Sequence, residues 1–107
     1  MTGDHQDYEP LFDKDTERRV TALLDSGLPQ ELAAKLLATG SVATTRPGGR
    51  LTASLSRWEG VLRWRAQGAS GGSDGMVVVG RWWRDPPENL RAEVELRLAA
   101  ELAGLDQ

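Results

Sequence analysis

The four tryptophans of this 107-residue chain, Trp58, Trp64, Trp82 and Trp83, all lie between Arg57 and Arg84, together with five of its eleven arginines. The two residue types interleave: Arg57-Trp58-Glu59-Gly60 and Arg63-Trp64-Arg65 at one end, Arg81-Trp82-Trp83-Arg84 at the other. Guanidinium and indole together do recognition chemistry. Arginine stacks on an aromatic face as a weakly hydrated cation, and Trp and Arg are the residue types enriched at protein interfaces. The same pair can neutralise phosphates and stack on a base.

Acid–base and nucleophilic chemistry have little to work with. The only histidine is His5, the only tyrosine is Tyr8, cysteine is absent, and Glu59 and Asp74, the acids between residues 46 and 84, are not paired in sequence. Catalysis requires a positioned acid, base or nucleophile, so the expectation is a protein that is not an enzyme and carries no cofactor. Asp4, His5, Asp7 and Glu9 are metal-ligand types, but a terminus without an apolar period cannot preorganise them, and no metal site is expected there. The absence of cysteine excludes disulfides and thiolate metal sites and suits a cytoplasmic location. No apolar run approaches the roughly 18 residues of a membrane span, and the acidic start lacks the apolar stretch of a secretory signal. Eleven arginines against two lysines, with abundant Ala, Leu and Gly, point to a high-GC genome and a bacterial or phage source.

The net charge of −3 conceals three blocks. Residues 1–45 carry eight acids and four bases; residues 46–84 carry two acids and seven arginines; residues 85–107 carry six acids and two arginines. A basic centre between acidic flanks implies either that the flanks fold back on it or that it is held for an acidic or polyanionic partner.

The elements that must position this centre follow from periodicity. Residues 1–12 read as a loose acidic tail and 13–107 as one compact domain. A first helix is predicted from Asp13 to Ser26, its stripe Val20, Leu23 and Leu24, stopped by Gly27. Pro29 opens a second, with Leu32, Ala33, Leu36 and Leu37 at i, i+4 spacing and Gly40 as its stop. Thr44-Thr45-Arg46-Pro47-Gly48-Gly49-Arg50 is a turn signal.

Residues 51–66 carry two periods at once. Leu51, Leu55, Trp58 and Leu62 recur as on a helix, while Trp58, Gly60, Leu62, Trp64 and Ala66 alternate as on a strand. The strand reading is adopted, as a strand or strand pair from Leu51 to Gln67. It is antiparallel to a second strand at 76–84 that starts with Met76-Val77-Val78-Val79, with 68–75 as the glycine-rich loop between them. Leu62 and Trp64 then share one face with Trp58, Arg57, Arg63 and Arg65 take the other, and Trp82 and Trp83 point to opposite sides. Asp85-Pro86-Pro87-Glu88 reads as the capped start of a long last helix along Leu90, Val94, Leu98 and Leu102, ending near Gly104. A second apolar line, Leu96, Ala99 and Ala103, is available for self-association.

The reading is an α+β fold: two short helices, a small antiparallel sheet or hairpin rich in Arg and Trp, and a long C-terminal helix. The alternative is a winged helix-turn-helix, in which residues 51–66 hold a helix with its arginines outward and 68–75 forms the wing. The expected function is a non-catalytic binding module. Its Arg57, Trp58, Arg63, Trp64, Arg65, Arg81, Trp82, Trp83 and Arg84 meet a partner protein or a second copy of the chain, with no membrane contact. Nucleic-acid binding by a transcriptional regulator is the alternative, disfavoured by the acidic flanks.

Overall fold

A computed structural model describes residues 14–68 and 71–105. The acidic stretch 1–12, with His5 and Tyr8, and Asp13, the expected start of the first helix, lie outside the described residues. The elements run α1 (Lys14–Ser26), α2 (Leu28–Thr39), β1 (Ser41–Arg46), β2 (Gly49–Ser56), β3 (Val61–Gly68), β4 (Gly71–Val78) and α3 (Glu88–Leu105). The four strands form an antiparallel meander in the order β1-β2-β3-β4, and the fold is α+β as expected.

The two glycine stops hold: Gly27 and Gly40 take φ of 82° and 89°, and the Gly40 N–H donates to the Leu36 carbonyl at 2.8 Å. Val20 and Leu23 of α1 are buried with Ala33 and Leu36 of α2. In α3 the line Leu90, Val94, Leu98 and Leu102 is buried, and so are Ala99 and Ala103. α3 packs against α1 and α2 and reaches β2 and β3. Ala99 and Ala103 are therefore core residues, and of the line expected for self-association on α3 Leu96 alone is exposed, at 43%. α3 also runs through Gly104 to Leu105 and begins after its prolines: the Pro87 carbonyl accepts from Leu90 N–H and Arg91 N–H at 3.1 and 3.2 Å.

The sheet alternates as a one-sided strand layer must. Val42, Leu51, Ala53, Leu55, Leu62 and Ala66 face the helices and are buried. Each of the Val and Leu side chains among them adds about 1.5–3 kcal/mol by leaving water. The register aligns Leu51 with Ala66, Ala53 with Trp64, and Leu55 with Leu62 on that inner face. The opposite face, with Arg63, Arg65, Thr52 and Ser54, carries no second layer among the described residues.

The adopted strand pair holds, one alternative falls and two expectations are corrected. Residues 51–66 are strand throughout apart from the turn 57–60, so the helix that a winged helix-turn-helix requires is not formed. Of the turn signal Thr44 to Arg50, Thr44 to Arg46 belong to strand β1 and Gly49 and Arg50 to β2, with the turn confined to Pro47 and Gly48. The last strand is 71–78, not 76–84: most of the supposed glycine loop is β4, and Trp82 and Trp83 lie beyond it. The cause of the last correction is Trp64. Its partner across the ladder is Gly75, where a Cβ would sit 2.6 Å from the indole Cζ2. The glycine that signals a loop in the sequence is the space the indole needs to lie across β4.

Candidate functional site

The β2–β3 turn, Arg57 to Gly60, is built by local hydrogen bonds. Ser56 Oγ accepts from Trp58 N–H and Glu59 N–H at 3.3 and 3.4 Å, and Gly60 N–H donates to the Ser56 carbonyl at 2.8 Å. Gly60 has φ of 68°, and the chain leaving β4 runs directly against it: a Cβ here would lie 2.6 Å from the Gly80 carbonyl carbon. Only glycine combines that conformation with that approach. The Gly60 carbonyl accepts from Val79 N–H and Gly80 N–H at 2.8 and 3.1 Å, and the Arg57 carbonyl accepts from Trp82 N–H at 3.4 Å.

This crossing separates the neighbouring indoles. Trp82 drops into the core at 7% exposure, whereas Trp83 stands outside at 68%. Trp83 meets Trp58, itself 56% exposed, with ring centroids 5.5 Å apart and planes tilted by 60°. The Arg57 guanidinium lies 4.5 Å from the Trp58 ring centre and donates from Nη1 to the Trp83 carbonyl at 3.2 Å. Arg57, Trp58 and Trp83 thus form one corner of mutually supporting side chains on a backbone fixed by four hydrogen bonds.

The expected set of nine residues divides by position. Trp82 is core, and Trp64 is partly buried between Gly75 and the Arg97 guanidinium of α3, which sits 5.1 Å from its ring centre. Arg63 and Arg65 take the open face, opposite to Leu62 and Trp64 as the alternation required. Arg63 Nη1 pairs with Glu59 Oε1 at 3.0 Å, and Arg65 Nη2 stands 3.9 Å from Asp74 Oδ2, both pairs exposed. Arg81 and Arg84 are exposed around Trp83. Trp58, expected on a strand with Leu62 and Trp64, is instead in the turn, and Trp82 and Trp83, of which one was expected on the arginine face, lie beyond β4, so that face carries no tryptophan among the described strand residues.

Sequence reasoning did not single out Met76 and Val78. Both are on β4, 58% and 71% exposed, across the ladder from Arg63 and Val61 on the open face. The signal was the alternation Asp74, Met76, Val78, readable only once β4 is known to begin at Gly71. Among the described residues, no group of three or more His, Cys, Asp or Glu could hold a metal ion, and no helix is long and apolar enough to cross a membrane.

The chain is similar to the heme chaperone HemW of Mycobacterium tuberculosis in two strains, CDC 1551 / Oshkosh and ATCC 25618 / H37Rv, at 36% identity over 62 residues in each. The match takes in 58% of this chain and spans 15% of the length of those relatives. No protein-family model matches the chain, and no solved structure does.

Proposed function

We propose that this chain is a non-catalytic binding module that engages a partner protein through the corner of Arg57, Trp58 and Trp83, with Arg63, Arg65, Arg81 and Arg84 favouring an acidic partner surface. The observation that carries the proposal is the exposed indole pair held on a rigid backbone. Two large aromatic side chains kept in water contribute nothing to the core, while their fixed placement lowers the ordering cost of binding. Truncating such anchors characteristically costs about 2 kcal/mol or more of binding energy, roughly thirtyfold in affinity.

The test is selection of a random peptide library against the chain, followed by fluorescence anisotropy of the enriched peptides. A convergent peptide set whose affinity falls at least tenfold in Trp58→Ala and Trp83→Ala, with unchanged thermal midpoints, supports the proposal. No enrichment, or binding indifferent to both substitutions, overturns it. Mobility shifts with mixed DNA and RNA form the second arm. Salt-sensitive binding lost in an Arg63→Ala, Arg65→Ala double variant replaces the protein partner with nucleic acid. A haem titration followed by visible absorbance is the third, because haem is the ligand in the name of the relatives it resembles. Saturable haem binding that disappears with both exposed indoles overturns the proposal in favour of a porphyrin site.

A further inference from the structure

The two edges of the sheet are finished differently. At β1, Thr39 Oγ1 donates to the Ser41 carbonyl at 2.9 Å, Pro47 closes the far end, and α2 packs against the strand. β4 has none of this. Its ladder partner is β3, and the helices pack chiefly on β1, β2 and β3, with Val77 of β4 partly buried against the core. Among the described residues nothing hydrogen-bonds to the outer backbone edge of β4, because its main-chain partners are those of the β3 ladder. Natural sheets blunt such an edge with lysine, proline, bulges or a covering loop. Gly71 to Val78 contains no lysine and no proline, and its one charge, Asp74, already stands toward Arg65.

The side chains beside this open edge are suited to an occupant. Met76 and Val78 present apolar surface on the uncovered face, and the chain then continues through the exposed Arg81, Trp83 and Arg84. We infer that β4 is a strand-addition site: an extended segment of the partner protein pairs with it as a fifth strand, apolar side chains beside Met76 and Val78 and acidic ones beside Arg81 and Arg84. This inference rests on the protein-binding reading and names the form of the partner. Backbone hydrogen bonds supply affinity in such a pairing, and alternate side chains supply selectivity. Eight strand residues span about 26 Å, enough for three or four outer-edge donor–acceptor sites. The seven arginines against two acids in residues 46–84 set the sign of the charge that the partner carries.

The experiment uses the full chain and a synthetic fluorescein-labelled decapeptide, Asp-Glu-Val-Thr-Val-Thr-Val-Thr-Glu-Asp, with acidic ends so that either strand direction is served. A second peptide is N-methylated at alternate backbone amides, and a third has lysine at both ends. Strand addition predicts at least tenfold weaker binding of the second and third peptides. It also predicts at least tenfold slower amide exchange on the outer edge of β4 with the first, read by NMR. Met76→Asp and Val78→Asp, at positions outside the core, weaken the first peptide by a similar factor. Equal affinity for the N-methylated peptide, or unprotected β4 amides, overturns the inference. So does failure of the first peptide to bind at all, while the indole corner is still judged by the library selection, which does not depend on β4. A dimer in sedimentation that dissociates in Val78→Asp overturns it in favour of a second copy as the fifth strand.

Discussion

Trp64 and Trp82 on one side, and Trp58 and Trp83 on the other, are the same residue in two physical situations. The first pair closes the helical layer onto the sheet: Trp82 is in the core cluster and Trp64 lies between β4 and Arg97. The second pair touches mainly itself and Arg57. Adjacent positions 82 and 83 belong to opposite members of the comparison, so composition and local sequence do not separate them. The crossing at Gly60 does, by fixing which way each side chain leaves the backbone.

The largest effect should separate neighbours. Trp82→Ala removes a buried indole and leaves a cavity, which costs about 3–5 kcal/mol. That is a large part of the roughly 5–15 kcal/mol available to a domain of this size. Trp83→Ala, one residue on, should stay within about 0.5 kcal/mol, as exposed substitutions do. Urea titrations of the two variants measure this directly. Comparable losses in both would mean that the outer pair is structural and would remove the basis for a recognition role.

Next in size is Gly60→Ala. A side chain here meets positive φ and the Gly80 backbone at once, and the strain of the conformation alone is about 1–2 kcal/mol. The neighbour is main chain, so it cannot swing aside, and the expected total loss is about 2–4 kcal/mol, within the range that strained backbone and overpacking produce together. The crossing has to open, so the exciton coupling between Trp58 and Trp83 in circular dichroism should weaken as well. A variant with normal coupling would show that the corner does not depend on this approach.

The sequence made the helices legible because their signals are local. Val20 and Leu23, Ala33 and Leu36, and Leu90 to Leu102 repeat at helical spacing, and Gly27 and Gly40 end two of the elements by their own conformation. The inward turn of Leu62 and Trp64 and the outward turn of Arg63 and Arg65 were equally legible, since alternation decides them. What could not be read was long-range. The Gly71 to Gly75 segment is a loop by composition and a strand because Trp64 lies across Gly75. Trp58 kept strand parity on paper, whereas Ser56 gathers the amides of residues 58 and 59 into a turn. The pairing of Trp58 with Trp83 is set by the twenty-four residues between them, which include β3 and β4, and no short window around either residue contains it. Of the candidate site, the residue types were visible, but their grouping into a corner, an open face and a core was not.

A smaller effect sharpens the outer member of the comparison. Arg57→Ala deletes the cation over Trp58 and the hydrogen bond to the Trp83 carbonyl. At exposed positions a cation–π contact is worth about 0.5–1 kcal/mol, so the fold should lose no more than about 1 kcal/mol. The indole coupling should nonetheless fall, because the guanidinium is what ties the two segments together at side-chain level. Loss of coupling without loss of fold would mark Arg57 as the residue that orders the corner for its partner. Unchanged coupling would assign that order to the backbone alone.

The smallest effect tests the inner member through its one perturbed charge. Glu101 on α3 has its pKa raised, chiefly because burial disfavours its carboxylate, with Arg97 opposing the shift. Arg97 is also the cation over Trp64, so one guanidinium serves the indole and the carboxylate together. A carboxyl whose folded pKa lies above its unfolded value binds the proton more tightly in the native state. Its contribution is therefore fully favourable below the unfolded value and is lost as pH rises through the folded one. Glu101→Gln should leave stability unchanged at low pH and raise it slightly near neutrality, flattening the pH profile between those two values. The half-exposed position keeps the gain small, because water screens the group. Arg97→Ala should do the reverse, raising the pKa of Glu101 further, steepening the profile and uncovering the Trp64 ring. Urea midpoints followed from mildly acidic to neutral pH decide the matter, and a profile unchanged in both variants would separate the inner tryptophan from any electrostatic support by α3.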